Sequence, residues 1–356
     1  MEKQRNNSSK NLYRFSLRNW IQLGVFILTL AIGVQFYIHV HQAASPGPVS
    51  VARPPGVEGF LPIGALMGFK LFFTTGIWDW VHPAAMVILA FAACLSLLLR
   101  KSFCGWFCPV GTISEWLWRL GQKMFGRNYL LPTWLDIPVR GLKYALLAFF
   151  VYIIFGMSQT AILNFLESPY YKLSDVKMLH FFTRMSGLTA FVLFILVVAS
   201  VFIRNFWCRY LCPYGALMGL IALISPTRIE RNPSSCIDCK RCAKVCPYHL
   251  AVDQKTRIIS PECSGCMACT KVCPVQNTLE LKTKTFPPAF WRPVRLGVAV
   301  LCLFAVFVYS ARITGKWESR ISRQEFRMRL LRIDAPNMVH PKVNMGRSKE
   351  PIQNRP

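Results

Sequence analysis

The chain has 356 residues, 53% of them apolar, and carries 42 Lys plus Arg against 16 Asp plus Glu. Its mean hydropathy is positive, above the usual range for a soluble globular protein. The basic residues lie scattered between apolar runs and form no single block, which argues against a nucleic-acid partner and for the lipid bilayer.

The chain opens on a basic leader, residues 1–19, with Lys3, Arg5, Lys10, Arg14 and Arg18. The run WIQLGVFILTLAIGVQFYIHV at 20–40 follows. As a helix it would be about 30 Å long, enough to cross the hydrocarbon. Its apolar core is too long for a cleaved signal peptide, so we read an uncleaved signal anchor. His39 and His41 close the run as H-V-H. Neutral imidazoles of this kind can ligate haem or copper; here we read interfacial polar residues.

Four more runs are read as spans: 82–99, 142–158, 187–203 and 294–311. The loops 41–81 and 159–186 are less basic than the leader, the 100–143 region and residues 204–292. The positive-inside rule therefore puts the latter three on the cytoplasmic side. Five spans place the tail 312–356 outside, although its first part is strongly basic. The segment 60–77, FLPIGALMGFKLFFTTGI, is read as re-entrant or interfacial, because a sixth span would move Cys104 outward or flip the leader. Outer-side candidates for accepting protons from a quinol are Asp79, His82 and Glu167.

Twelve of fourteen cysteines fall into four clusters. SFCGWFCPVG and NFWCRYLCPYG align as Arg100–Cys104–Cys108–Pro109–Gly111 and Arg204–Cys208–Cys212–Pro213–Gly215. Each follows an apolar run, and two spans between them return both copies to one membrane face. This is an internal duplication. On a helix, cysteines four apart share a face, so the pairs together offer four thiolates. They suit a metal, a further cluster or a reversible dithiol; the alternative is that Pro109 and Pro213 break helices beside packed cysteines. Cys94 and Cys302 lie inside apolar runs and are read as small buried residues.

CIDCKRCAKVCP (236–247) and CSGCMACTKVCP (263–274) both read C-x2-C-x2-C-x3-C-P, offset by 27 residues. This is the bacterial two-cluster ferredoxin signature, in which the fourth cysteine of each run ligates the other cluster. The spacing assigns Cys236, Cys239, Cys242 and Cys273 to one [4Fe–4S] cluster, and Cys263, Cys266, Cys269 and Cys246 to the second. Zinc sites use well-separated cysteine pairs without the third cysteine, and disulfides are disfavoured in the cytoplasm. Lys240, Arg241, Lys244 and Lys271 surround these motifs and could steer an acidic redox protein, or could follow the positive-inside bias alone. No GxGxxG follows a strand, and there is no P-loop or nucleophile elbow, so no catalytic residue is assigned.

The expected fold class is a mainly α polytopic membrane protein of about five transmembrane helices plus a re-entrant segment, with an inserted two-cluster ferredoxin-like α+β domain. The expected domains are 1–19, a leader; 20–227, a membrane domain with the duplicated unit; 228–285, the ferredoxin-like domain; 286–311, the last span; and 312–356, a basic tail.

The duplicated C-x3-C-P motifs, the tandem ferredoxin block and the last span together resemble the membrane-bound ferredoxin-type 4Fe–4S electron transport proteins. That family includes the NapH subunit of periplasmic nitrate reduction, the membrane half of the regulator NosR and the assembly protein CcoG. The resemblance covers about residues 20–311, and the paired FCGWFCPVG and FWCRYLCPYG motifs narrow it. It implies electron transfer between the quinone pool and a redox protein partner, with two clusters as a cytoplasmic relay in a bacterial inner membrane. The likeness to CcoG implies a rival role in copper reduction for metallocentre assembly, with Cu(I) on the C-x3-C-P thiolates; a redox sensor is a third.

Overall fold

A computed structural model describes residues 16–283, 290–338 and 340. The first helix, α1 (Leu17–Ala44), starts inside the expected leader. Among the described residues three helices are long and apolar enough to cross a membrane: α1, the helix at 133–156 and the one at 293–313. A fourth crossing exists if Ser174–Thr183 and Gly187–Phe202, bent by 78° at their junction, are taken as one.

The expected span at 82–99 is α3 (Pro83–Leu99), with Pro83 in its first turn. It is apolar all round and eleven of its seventeen residues are buried, as expected of a helix surrounded by protein. The segment read as re-entrant forms α2 (Pro62–Thr75), about 21 Å long and packed on α3. Gly76, left-handed at φ +77, ends it.

The duplication is visible as two units. In the first, α3 leads through one turn of π-helix (Phe103–Phe107) into α4 (Pro109–Phe125). After α5 (Thr133–Gly156), α6 (Gln159–Leu166), α7 (Pro169–Lys172) and α8 (Ser174–Thr183), the second unit begins. There α9 (Gly187–Phe202) leads through the π-turn Trp207–Leu211 into α10 (Pro213–Leu223). The units interlock, α4 packing on α9 and α10 on α3. Gly121 permits the first contact: a Cβ there would lie 1.9 Å from the Val201 carbonyl oxygen.

The inserted domain is small. Strand β1 (Thr227–Arg231) pairs antiparallel with β2 (Leu279–Thr283), Thr227 opposite Thr283. Between them lie two five-residue helices, α11 (Arg241–Val245) and α12 (Ala268–Val272). Ile229, Leu279 and Leu281 join one core with Phe91, Leu95, Phe103 and Trp106 of the membrane part. The domain is thus packed onto the bundle. Residues 284–289 are outside the described set, and with them the expected boundary at 285/286.

Helix α13 (Pro293–Ile313) runs to the opposite end of the bundle. There the tail forms α14 (Arg323–Leu330), whose Phe326 and Leu330 pack on Phe36, Val40 and Ala43 of α1. The Arg320 amide donates to the Trp80 carbonyl at 3.0 Å, and Lys172 pairs with Glu325 at 2.8 Å. The basic tail therefore shares an end with the 41–81 and 159–186 loops.

Candidate iron–sulfur and thiolate sites

The two ferredoxin motifs repeat in backbone as well as sequence. Asp238 and Lys240 are left-handed, at φ 49 and 57, and their counterparts Gly265 and Met267 are at 59 and 56. Such alternation turns successive amide N–H groups inward and makes an anion-binding hollow. Each run ends in an extended cysteine, Cys246 (φ −65, ψ 119) and Cys273 (φ −66, ψ 120).

The structure brings the eight cysteines into two sets. Cys236, Cys239, Cys242 and Cys273 line one cavity; Cys246, Cys263, Cys266 and Cys269 line another. Each cavity thus takes three cysteines from one motif and the fourth from the other. All are free thiols, and burial pushes Cys246 up to about 12, so a cation is needed to hold it as thiolate. The donor set and the inward amides fit a [4Fe–4S] cluster in each cavity.

The cavities differ in depth. Cys246, Cys263 and Cys269 are buried, whereas Cys239 is exposed. The deeper one rests on the first π-turn. The Trp106 indole N–H donates to the Gly265 carbonyl at 3.1 Å, and a Cβ at Gly105 would meet the Ser264 carbonyl at 2.8 Å. The duplicated arginines tie the domain down: Arg100 donates to the Ser260 carbonyl at 2.6 Å and Arg204 to that of Lys244 at 3.0 Å.

Cys104, Cys108, Cys208 and Cys212 do not sit on α-helices as the spacing suggested. Cys104 and Cys208 lie within the π-turns, each closed by an i to i+5 bond, Cys108 N–H to Phe103 and Cys212 N–H to Trp207, at 2.9 and 3.0 Å. Pro109 and Pro213 then start new helices with Cys108 and Cys212 as N-caps. The four thiols lie within electrostatic reach of one another: Cys208 responds to Cys212, Cys108 and Cys104. Burial pushes Cys104 up to about 12 and Cys108 to about 11.

Residues missed in the sequence surround this group. Lys101 is 1% exposed, and its Nζ has no hydrogen-bond partner. Burial lowers its basicity, but Cys104, Glu262, Cys212 and Cys208 raise it above the ordinary value. Lys143 of α5, fully buried, pairs with Glu262 at 2.5 Å. Arg18 pairs with Glu115 and donates to the Gly105 carbonyl at 3.3 Å, so the end of the leader belongs to this site. Two positive-inside lysines and an arginine were legible only as topology markers.

At the other end, Asp79 and His82 are buried in one polar network, while Glu167 is exposed at the end of α6. The Tyr171 hydroxyl donates to Asp79 at 2.6 Å; His82 lies 3.3 Å from Glu58, and Arg53 pairs with Asp175 at 2.7 Å. The other ring nitrogen of His82 lies 2.8 Å from the Tyr171 carbonyl oxygen. His39 and His41 part company: His39 bonds the Val51 carbonyl at 2.7 Å, and His41 is exposed. Cys94 is half-buried and Cys302 exposed, so the expectation that both are buried fails for Cys302. It sits on the outward face of α13.

Two family profiles match: "4Fe-4S binding domain" at residues 81–128 and 183–232, and "4Fe-4S dicluster domain" at 228–275. The first covers the duplicated unit twice; the second covers both ferredoxin motifs. YccM of Escherichia coli, which carries the name of an electron transport protein, is 50% identical over 233 residues, 65% of this chain and 65% of its own. Over the matched stretches the chain is similar to membrane-associated ferredoxin-type 4Fe–4S electron transport proteins. Other relatives align over shorter stretches. Protein NirI of Paracoccus denitrificans is 30% identical over 57% of this chain and 30% of its own length. Ferredoxin-type protein NapH of Haemophilus influenzae is 30% identical over 46% and 52%. The match spans less than two thirds of each relative's length. No solved structure matches.

Proposed function

We propose that this chain carries single electrons from membrane quinol to a soluble, acidic redox partner. The graded depth of the two cysteine cavities carries the reading: one is pressed on the membrane helices and the other opens at Cys239. Loaded with [4Fe–4S] clusters, the eight thiolates would hold one-electron centres whose potentials depend on burial and nearby charge. Arg18, which interacts electrostatically with Cys266, would favour the reduced state of the inner set. Lys240, Arg241 and Lys244, all exposed around the outer set, would attract an acidic partner.

In this reading α3 and α9 also cross the bilayer, giving five crossings of a bacterial inner membrane, with the ferredoxin-like domain cytoplasmic. The Asp79–His82 network is a poor place for quinol to give up electrons. It lies at the far end of α3, about 25 Å along the helix from the cysteines. Its position suits a clamp between outer loops.

The test uses full-length protein purified anaerobically in detergent. A reduced quinol analogue is added, and the clusters are followed by EPR and by loss of visible absorption. Reduction on a turnover timescale supports the reading. Reduction only by a low-potential donor such as dithionite overturns the quinol step.

A further inference from the structure

We propose that the cavity closed by the tail, at the end of the bundle far from the cysteines, binds a zwitterionic phospholipid headgroup, a phosphate and a primary ammonium in one molecule. This goes beyond the electron-transfer reading and does not depend on which donor feeds the cysteine sets. It rests only on α1 and α13 crossing the bilayer.

The cavity has a volume of about 230 Å³. By the same measure an ordered water needs only about 10–15 Å³, so a single water does not fill it. Three segments wall it: His39 and Ala43 from the last two turns of α1, the 49–58 stretch that follows, and the 318–326 part of the tail. The tail is pinned at both edges of the space. The Ser319 hydroxyl donates to the Val81 carbonyl at 2.7 Å, and Arg327 donates to the carbonyls of Ser45 and Gly47 at 2.8 and 3.2 Å. Tail and loop are thus tied together around a hollow that their own side chains leave open.

The floor is built from matched charges. Glu58 is 1% exposed and accepts the Ala84 amide at 2.9 Å. Arg53 lies between Glu58 and Asp175, its guanidinium 5.7 Å from the Phe326 ring centre. His39 uses Nδ1 on the Val51 carbonyl, which leaves Nε2 of the neutral ring as an acceptor. Glu318 and Arg323 are exposed and complete the lining. The wall therefore offers two guanidinium groups and two carboxylates. A ligand of one sign would meet like charge from half of them. A zwitterion can turn its phosphate to the guanidinium groups and its ammonium to the carboxylates. Position favours a lipid over a soluble zwitterion. The cavity sits where α1 ends and where the chain leaving α13 returns, which is the depth of the headgroup layer. Helix α14, which covers it, also exposes Met328, and Leu331 follows exposed at its end. Arginines beside exposed apolar side chains on a short helix suit that layer.

The test titrates full-length protein in detergent with three probes: dihexanoyl phosphatidylethanolamine, dihexanoyl phosphatidylglycerol and free O-phosphoethanolamine. Binding is read as a saturable rise in the thermal midpoint. The ethanolamine lipid is expected to half-saturate at a concentration about tenfold or more below that of either other probe. Arg323→Ala and the space-filling Ala52→Trp, both at exposed positions of the lining, are expected to weaken its binding about tenfold or more. An equal response to the glycerol lipid overturns the proposal, because that lipid lacks the ammonium. Equal binding of free O-phosphoethanolamine overturns the lipid source and assigns the cavity to a soluble zwitterion. An unchanged lipid response in both variants places the binding elsewhere and overturns the site. If the variants fail to fold, the selectivity of the unmodified protein among the three probes decides. Reduction by quinol, or its failure, leaves these titrations untouched, so the two readings fail separately.

Discussion

His249 lies beside the inner cluster set, with Arg204 and Arg209 near its ring. Burial first, and then those two guanidinium groups, push it down to about 3. The unfolded chain would titrate near 6.5. Between these values the unfolded state binds the extra proton, so this residue's contribution is complete above about pH 6.5 and lost as the pH falls toward 3. Thermal midpoints in detergent should therefore drop between about pH 7 and 5, and His249→Gln should flatten that drop. Equal slopes in both proteins would show that His249 is not held neutral. Arg18 carries a related lesson. In sequence it is one basic residue among five in a leader; in the fold it is a buried partner of Glu115. Nothing in the local pattern distinguishes it, because the acidic partner lies 97 residues away.

At the scale of elements, what was readable followed from local chemistry. The cysteine spacing announced the ferredoxin motifs, and Pro109 and Pro213 announced the starts of α4 and α10. The long apolar runs at 20–40 and 294–311 became α1 and α13. What was not readable depends on packing. Helix α3 was expected as a span, but hydropathy alone did not show that protein wraps most of its surface. The π-turns were invisible because an extra residue per turn leaves no signal in apolar periodicity. Gly121 belongs here too, since its importance comes from the Val201 carbonyl on another helix. Gly121→Leu should force α4 from α9 and destabilise the protein by at least about 1–3 kcal/mol. The check is its melting temperature and retained iron; an unchanged melting temperature would mean the two helices separate freely.

For the whole molecule, the exposed rim around Cys239 meets solvent with Lys240 and Arg241 beside it. Electrostatic steering raises encounter rates and fades with salt. Oxidation of the reduced protein by ferricyanide, an anion, should slow about tenfold or more at low ionic strength in the Lys240→Glu, Arg241→Glu variant. A cationic acceptor such as hexaammineruthenium(III) should show the opposite change; equal effects on both would remove the steering role. The pairing of cysteines across the two motifs also dictates an order of manufacture. Cys246 must wait for Cys263, Cys266 and Cys269, and the outer set stays one thiol short until Cys273 leaves the ribosome. By then every described helix except α13 and α14 has been synthesised. Iron loading is therefore expected to come late, onto a scaffold already lodged in its membrane; a chain that stalls before residue 269 would have neither set complete, and one that stalls between 269 and 273 would lack only the outer one.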